Sequence, residues 1–417
     1  MFEHTFSSTF PGETGISNLM SDLTSALQNK EMAFLGGGNP ALHQEIILAV
    51  ENQIKTFDNS FWQNAMAYYD PAAGNLQLRH TLADFLTREG YPDVNPERIL
   101  ISGGSQQAFF LLFNLLAGPL KNGKRKKVLL PMLPEYIGYN DLGLQGDFFY
   151  GIDAIRIIEN GFLRFIPDFE KIEAVLKSGE IGIAAISRPQ NPTGGVLSSQ
   201  YMKTLEDLCQ VYSVPLLVDC AYGNPFPGLV YKEDDYLPQP TTLYSISFSK
   251  CGLPGLRTGA LIAPRDIIRA TSNVIAVTQL ANSSLSSAIL SEFLRKNDLK
   301  SLTRKYLLPY YERRRNYILS LFEHHGFPNE NLRIHVSEGA FFLWLEFCGS
   351  SKKQKLNSQK IYELLKARQV LVVPGSYFYA GLTNHQIPSC LRVSFTGEDN
   401  TLETGVREII SILKENY

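Results

Sequence analysis

The chain has 417 residues, 44% hydrophobic and 19% charged, the balance of a folded globular protein and more length than one typical core needs. A formal net charge of −2 excludes a general polyanion binder, because a nucleic-acid backbone calls for a basic surface. No apolar run reaches the ~18 residues of a membrane span, and Met1-Phe2-Glu3-His4 lacks the basic and apolar regions of a secretory leader. Five scattered cysteines (Cys209, Cys220, Cys251, Cys348 and Cys390) form no CxxC or Cys/His cluster, which speaks against a disulfide framework or a metal site. The expectation is a cytoplasmic protein with reduced thiols, no membrane contact and no nucleic-acid partner.

Helical spacing runs over residues 45–57 and 76–89, and Gly90 stops the second stretch. A short strand over 99–101 leads through Ser102-Gly103-Gly104-Ser105 into an apolar helix over 106–116. The basic stretch 121–127 lacks interleaved aromatic residues and is read as a solvated loop before a strand. Nearly continuous apolar runs follow at 128–130, 181–187, 214–219 and 243–248, with a helix over 199–212 connecting two of them. Runs buried on both faces belong to a mainly parallel sheet flanked by helices, joined by right-handed crossovers. Beyond about residue 285 the pattern changes. A long helix over 302–324 carries Arg313, Arg314 and Arg315, read as a solvated face, and short strands (332–336, 340–347, 370–373, 390–395) mix with helices at 358–367 and 400–414. The stretch 352–357 reads as an exposed loop. The expected architecture is α/β. A large domain over 45–285 has a mainly parallel sheet, a smaller α+β C-terminal domain covers 286–417, and an arm over 1–44 packs with the small domain.

Four segments carry the chemistry. Ser247-Phe248-Ser249-Lys250 closes an apolar strand, with Arg257 shortly after; Asp219-Cys220-Ala221-Tyr222 closes another; Asn191-Pro192-Thr193-Gly194 follows a third; Arg392 sits inside Leu391-Arg392-Val393-Ser394-Phe395. In an open α/β sheet, ligands lie outside the carboxyl ends of the strands, so one edge can present all of these groups together. A lysine, a carboxylate, a phenol, an amide and two arginines are the set that pyridoxal 5′-phosphate requires. Lys250 is the expected Schiff-base lysine and proton carrier, and needs an apolar or cationic setting to lower its pKa. Asp219 would hold the protonated pyridine nitrogen, since a carboxylate ending an apolar strand is costly without a partner. Tyr222 and Asn191 would donate to the phenolic oxygen. Gly104, Ser105 and Gln106 open a helix whose N–H groups favour an anion, and Ser247, Ser249 and Arg257 would complete a phosphate cup. Tyr136 would either stack on the ring or simply fill the core. Arg392 would grip a substrate α-carboxylate, with the backbone of Gly36-Gly37-Gly38-Asn39 close by. For each segment an ordinary reading stands beside this one: a solvated lysine, a capping aspartate, a plain Asn-Pro-Thr-Gly turn, a surface salt bridge.

At these residues the chain resembles the fold type I pyridoxal-phosphate aminotransferases of class I and II over nearly its whole length. It is further similar to the valine–pyruvate aminotransferase family at 14–23, 35–40, Pro134-Glu135-Tyr136-Ile137-Gly138-Tyr139, Ala221-Tyr222-Gly223-Asn224-Pro225-Phe226-Pro227-Gly228 and Pro374-Gly375. Cys220 stands where that family carries an asparagine. The resemblance implies an aspartate aminotransferase-like fold and a homodimer in which Tyr69 reaches the neighbouring subunit's phosphate. It also implies amino-group transfer between an aliphatic L-amino acid (valine or alanine) and a 2-oxo acid (pyruvate or 2-oxoisovalerate). The cofactor residues alone leave two alternatives open. One is elimination or decarboxylation on the same scaffold; the other is a ligand-sensing regulator, against which the non-basic N-terminal segment argues.

Overall fold

A computed structural model describes residues 32–348, 356–382 and 387–416. The stretch 14–23, much of the 1–44 arm and most of the 352–357 loop lie outside the described residues. The larger of two principal sheets has eight strands. Its spatial order begins Ile99–Ser102, Gly259–Ile262, Leu243–Ser247, Leu216–Asp219, Ile181–Ser187, Arg125–Leu133, and Phe149–Asp153 pairs with the last of these. The pairings along this path are parallel except on either side of Gly259–Ile262, which runs antiparallel to both neighbours. The α/β class and mainly parallel sheet expected from the apolar runs are what is observed. Ile181–Ser187, Leu216–Asp219 and Leu243–Ser247 are buried at every position, which explains why they read as unbroken apolar runs instead of alternating ones.

The second sheet has six strands in the order Val373–Pro374, Cys390–Ser394, Phe342–Phe347, Leu332–His335, Phe162–Ile166, Ile155–Glu159. Its last two strands come from the middle of the chain, where sequence reading finds no strands. They form a hairpin through Asn160 and Gly161, both at positive φ, and Phe162–Ile166 pairs in parallel with Leu332–His335. Two further differences have local causes. The helix expected over 302–324 is interrupted by a wide π turn over Thr303–Leu307 before Leu308–His324 begins, because Pro309 offers no N–H to continue the ladder. The arginine run is not uniformly solvated: Arg314 pairs with Asp399 and the Gly397 carbonyl, and Arg315 lies 4.6 Å over the Tyr231 ring.

Ala33–Phe34 pairs in parallel with Val370–Leu371, and the Ser394 amide donates to the Leu35 carbonyl at 2.7 Å. These bonds carry Gly36 to Asn39 across the gap between the sheets. There a cavity of about 240 Å³ opens beyond the carboxyl ends of the parallel strands. Among the described residues, no helix is long and apolar enough to cross a membrane.

Candidate active site

The strand Leu243–Ser247 ends in a 3₁₀ turn, Phe248–Cys251, tightened by the Ser249 amide donating to Ser247 Oγ at 3.3 Å. Phe248 and Cys251 are fully buried and anchor the turn, so Ser249 and Lys250 face the cavity. Lys250 Nζ donates to the Gly38 carbonyl at 2.6 Å and lies 5.6 Å from the Tyr222 ring. Burial, reinforced by the Arg392 charge, pulls its amine down to about 8, with Asp219 opposing.

Asp219 ends its strand 5% exposed, and its carboxylate is fixed from three sides. Tyr139 donates at 3.0 Å, the Ala221 amide at 3.0 Å and Ser245 at 3.2 Å. Burial pushes this carboxyl above the usual range; the three donors and Lys250 favour the anion.

Also in the cavity lining, Gly104 begins the helix Ser105–Leu116 at φ +109°. Arg257 holds a left-handed φ of +45°, and its Nη2 lies 3.0 Å from where a Gly104 side chain would start. Only glycine suits both the backbone angle and the arginine's approach. Ser105 Oγ and Gln106 Oε1 are sealed from solvent and have no hydrogen-bond partner among the described residues. Helix N–H groups, an arginine and the orphaned Ser105 hydroxyl together make a seat for an anion.

Arg392 is 2% exposed and sits mid-strand, on the face opposite Leu391 and Val393. Its guanidinium lies between two rings, 4.2 Å from the Phe342 centroid and 5.2 Å from that of Phe378. Nη1 donates to Asn191 Oδ1 at 2.9 Å and Nη2 to the Gly36 carbonyl at 2.8 Å. Nε has no partner among the described residues. Burial lowers the pKa of this group to about 10, so it stays a cation. Each Nη keeps one further N–H, enough to grip a carboxylate in a fork.

Gly38, Gly104, Ser105, Gln106, Tyr136, Asn191, Asp219, Tyr222, Ser247, Ser249, Lys250, Arg257 and Arg392 all line this one cavity. Tyr69 does not: it is 83% exposed on the surface. Sequence reading overlooks Phe109 and Ile137 in the lining and the role of Tyr139. Tyr139 follows Tyr136 at a one-turn spacing, a faint signal that both phenols serve one site.

The aminotransferase class I and II family model matches residues 151–409, more than half of the chain. The valine–pyruvate aminotransferase of Escherichia coli is 36% identical over 409 residues, covering 96% of this chain and 95% of that one. Among solved structures, a putative amino-acid aminotransferase from Psychrobacter arcticum superposes with a TM-score of 0.91 at 33% identity, covering 100% of this chain and 99% of that one. The valine–pyruvate aminotransferase of Salmonella typhimurium gives 0.84 at 33% identity, covering 96% and 98%. The chain belongs to the aminotransferase class I and II family.

Proposed function

We propose that the protein binds pyridoxal 5′-phosphate and transfers an amino group between an aliphatic L-amino acid, valine or alanine, and a 2-oxo acid. The observation that carries this reading is the convergence of Lys250, Asp219, Arg257 and Arg392 on a cavity of about 240 Å³. The anion seat at Gly104, Ser105 and Arg257 fits the phosphate, and the buried Asp219 carboxylate fits a protonated ring nitrogen. When bound, the cofactor supplies an electron-poor ring that disperses negative charge from the substrate α-carbon.

The chain's own residues do the rest. The amides of Gly104 to Gln106, with Ser105, Ser247, Ser249 and Arg257, would hold the phosphate. Asp219, oriented by Tyr139, Ala221 and Ser245, would hold a proton at the ring nitrogen. Tyr136, which lines the cavity, would stack on the ring. Tyr222 and the Asn191 amide nitrogen donate to the phenolic oxygen, while Asn191 Oδ1 stays turned to Arg392. Arg392 orients the substrate α-carboxylate. Lys250 Nζ, neutral above about 8, takes the proton from the substrate α-carbon.

Substrate choice follows from charge. Among the described lining residues the only cations are Lys250, Arg257 and Arg392, and each has a task already. A distal carboxylate buried there would go unpaired, a prohibitive cost. Valine and alanine are therefore favoured over aspartate, with one methylene worth only ~1–3 kcal/mol of discrimination. The similarity to two valine–pyruvate aminotransferases supports the same choice. The exposed Met66, Tyr68, Tyr69, Val277 and Leu280 support a homodimer in which Tyr69 serves the neighbouring site. The test is single-turnover amino-group transfer from valine, alanine, aspartate and phenylalanine separately, followed by conversion of valine and pyruvate into alanine and 2-oxoisovalerate. Aspartate reacting fastest would overturn the substrate assignment.

A further inference from the structure

Glu135 is 1% exposed, does not line the cavity, and has no cationic partner among the described residues. A carboxylate in such a place costs free energy that an apolar side chain of similar size would not. Its contacts show what it does there. Oε1 accepts from the Ser187 amide at 2.9 Å; Oε2 accepts from Ser187 Oγ at 2.7 Å and from the Tyr136 amide at 3.1 Å. Ser187 Oγ in turn accepts from the Asn191 backbone N–H at 3.2 Å, and Asn191 Oδ1 receives Arg392. On its backbone side, the Glu135 amide donates to the Phe378 carbonyl at 2.8 Å, and the Phe378 ring lies against Arg392. Burial pushes the carboxyl up to about 8, while the Ser187 and Tyr136 donors pull it the other way.

We infer that Glu135 is a positioning residue of this site: its two oxygens tie the Tyr136 turn to the 187–191 loop and thereby fix Tyr136, Asn191 and, through Asn191, Arg392. The inference rests on the pyridoxal-phosphate reading above. Two backbone N–H groups, of Ser187 and of Tyr136, aim at different oxygens of one carboxyl group, and both oxygens keep lone pairs to accept them whether the group is ionised or protonated. An amide offers one acceptor oxygen and one NH₂, so in Glu135→Gln one of these N–H groups meets a donor, whichever way the amide sits. The two segments are then no longer held in register. A misplacement on the order of 1 Å costs about 10²-fold in rate.

The experiment compares wild type, Glu135→Gln and Ser187→Ala, each normalised to bound cofactor. It reads the dissociation constant of pyridoxal phosphate for the apo-protein, the pH midpoint of the bound cofactor's visible band, and kcat and KM for valine with pyruvate. Glu135→Gln is expected to shift the band midpoint, weaken cofactor binding and lower kcat/KM by about 10²-fold per loaded site. Ser187→Ala, which removes the acceptor for the Asn191 backbone amide and one of three donors to Glu135 but leaves both backbone N–H bonds to the carboxyl in place, is expected to raise KM by about 2- to 10-fold with kcat little changed. If Glu135→Gln fails to fold, Ser187→Ala decides: an unchanged KM overturns the inference. Loaded Glu135→Gln protein with wild-type KM, band midpoint and cofactor affinity also overturns it and leaves Glu135 a folding residue. A wild type that does not take up pyridoxal phosphate overturns the functional reading itself and this inference with it.

Discussion

The two sheets serve the cavity in different ways. The eight-stranded sheet contributes from its strand ends: Asp219 and Ser247 are the last residues of their strands, and Lys250 and Asn191 lie in the turns just beyond. Their turns are tightened by bonds a few residues long, such as Ser249 to Ser247 and Ala221 to Asp219, while the Asp219 carboxylate and the Lys250 amine also meet Tyr139 and Gly38, 80 and 212 residues away. The six-stranded sheet contributes one arginine from the middle of a strand. Arg392 is held by partners 201 and 356 residues away and by two phenylalanine rings. One side of the cavity thus presents several groups from turns at strand ends, the other a single arginine held wholly by long-range packing; under the proposed function the first side carries the reactive groups and the second the recognition group. The first side should control the rate of the chemistry, and the second the binding of substrate.

The largest effect is expected on the reactive side. Lys250→Ala should keep the fold, by circular dichroism, and reduce transamination by at least ~10⁴-fold, because the amine that moves the α-proton is gone. Normal turnover would sink the site assignment. Asp219→Asn preserves volume but removes the charge facing the ring nitrogen. The rate should fall by about 10²-fold and cofactor affinity should fall with it, a charge-assisted bond being worth ~1.5–3 kcal/mol. An unchanged rate would make Asp219 structural.

On the recognition side, Arg392→Lys keeps a charge but loses the planar fork. KM for amino and oxo acids should both rise about 10-fold while kcat changes less. Equal KM values would show that the carboxylate is held elsewhere, and a loss confined to kcat would break the division drawn between the two sheets.

The smallest effect is a displacement along the pH axis. Lys250 has its pKa lowered to about 8, so its amine is ammonium below that value and neutral above it. The rate at which apo-protein captures pyridoxal phosphate should therefore climb as pH rises through about 8. Asp219 raises this pKa, so Asp219→Asn should move the midpoint down, whereas removing the Arg392 charge should move it up. A capture rate that keeps rising to the ordinary lysine range would show that the amine is not desolvated.

Much of the reactive side is legible in the sequence because apolar runs buried on both faces mark the parallel strands, and polar residues just past them mark the sheet edge. Lys250, Asp219 and Asn191 can be placed on that basis alone. Tyr139 escapes notice because a tyrosine in a short turn looks like core until its hydroxyl is seen on Asp219. Glu135 escapes for a related reason: next to Pro134 it reads as turn polarity, and its burial against Ser187 comes from two strands of the large sheet being neighbours. Residues 155–166 go unread because their strands are short and partly exposed.

The sequence by itself determined the α/β class, the order of buried strands and the residue types that meet at one sheet edge, since these follow from local hydrophobic pattern and turn chemistry. Only the tertiary structure decided that residues 155–166 join the second sheet, that Gly36 to Asn39 bridge the two sheets, and that Arg392 is a buried fork instead of a surface charge. Those outcomes depend on contacts between residues hundreds of positions apart, for which local pattern carries no signal.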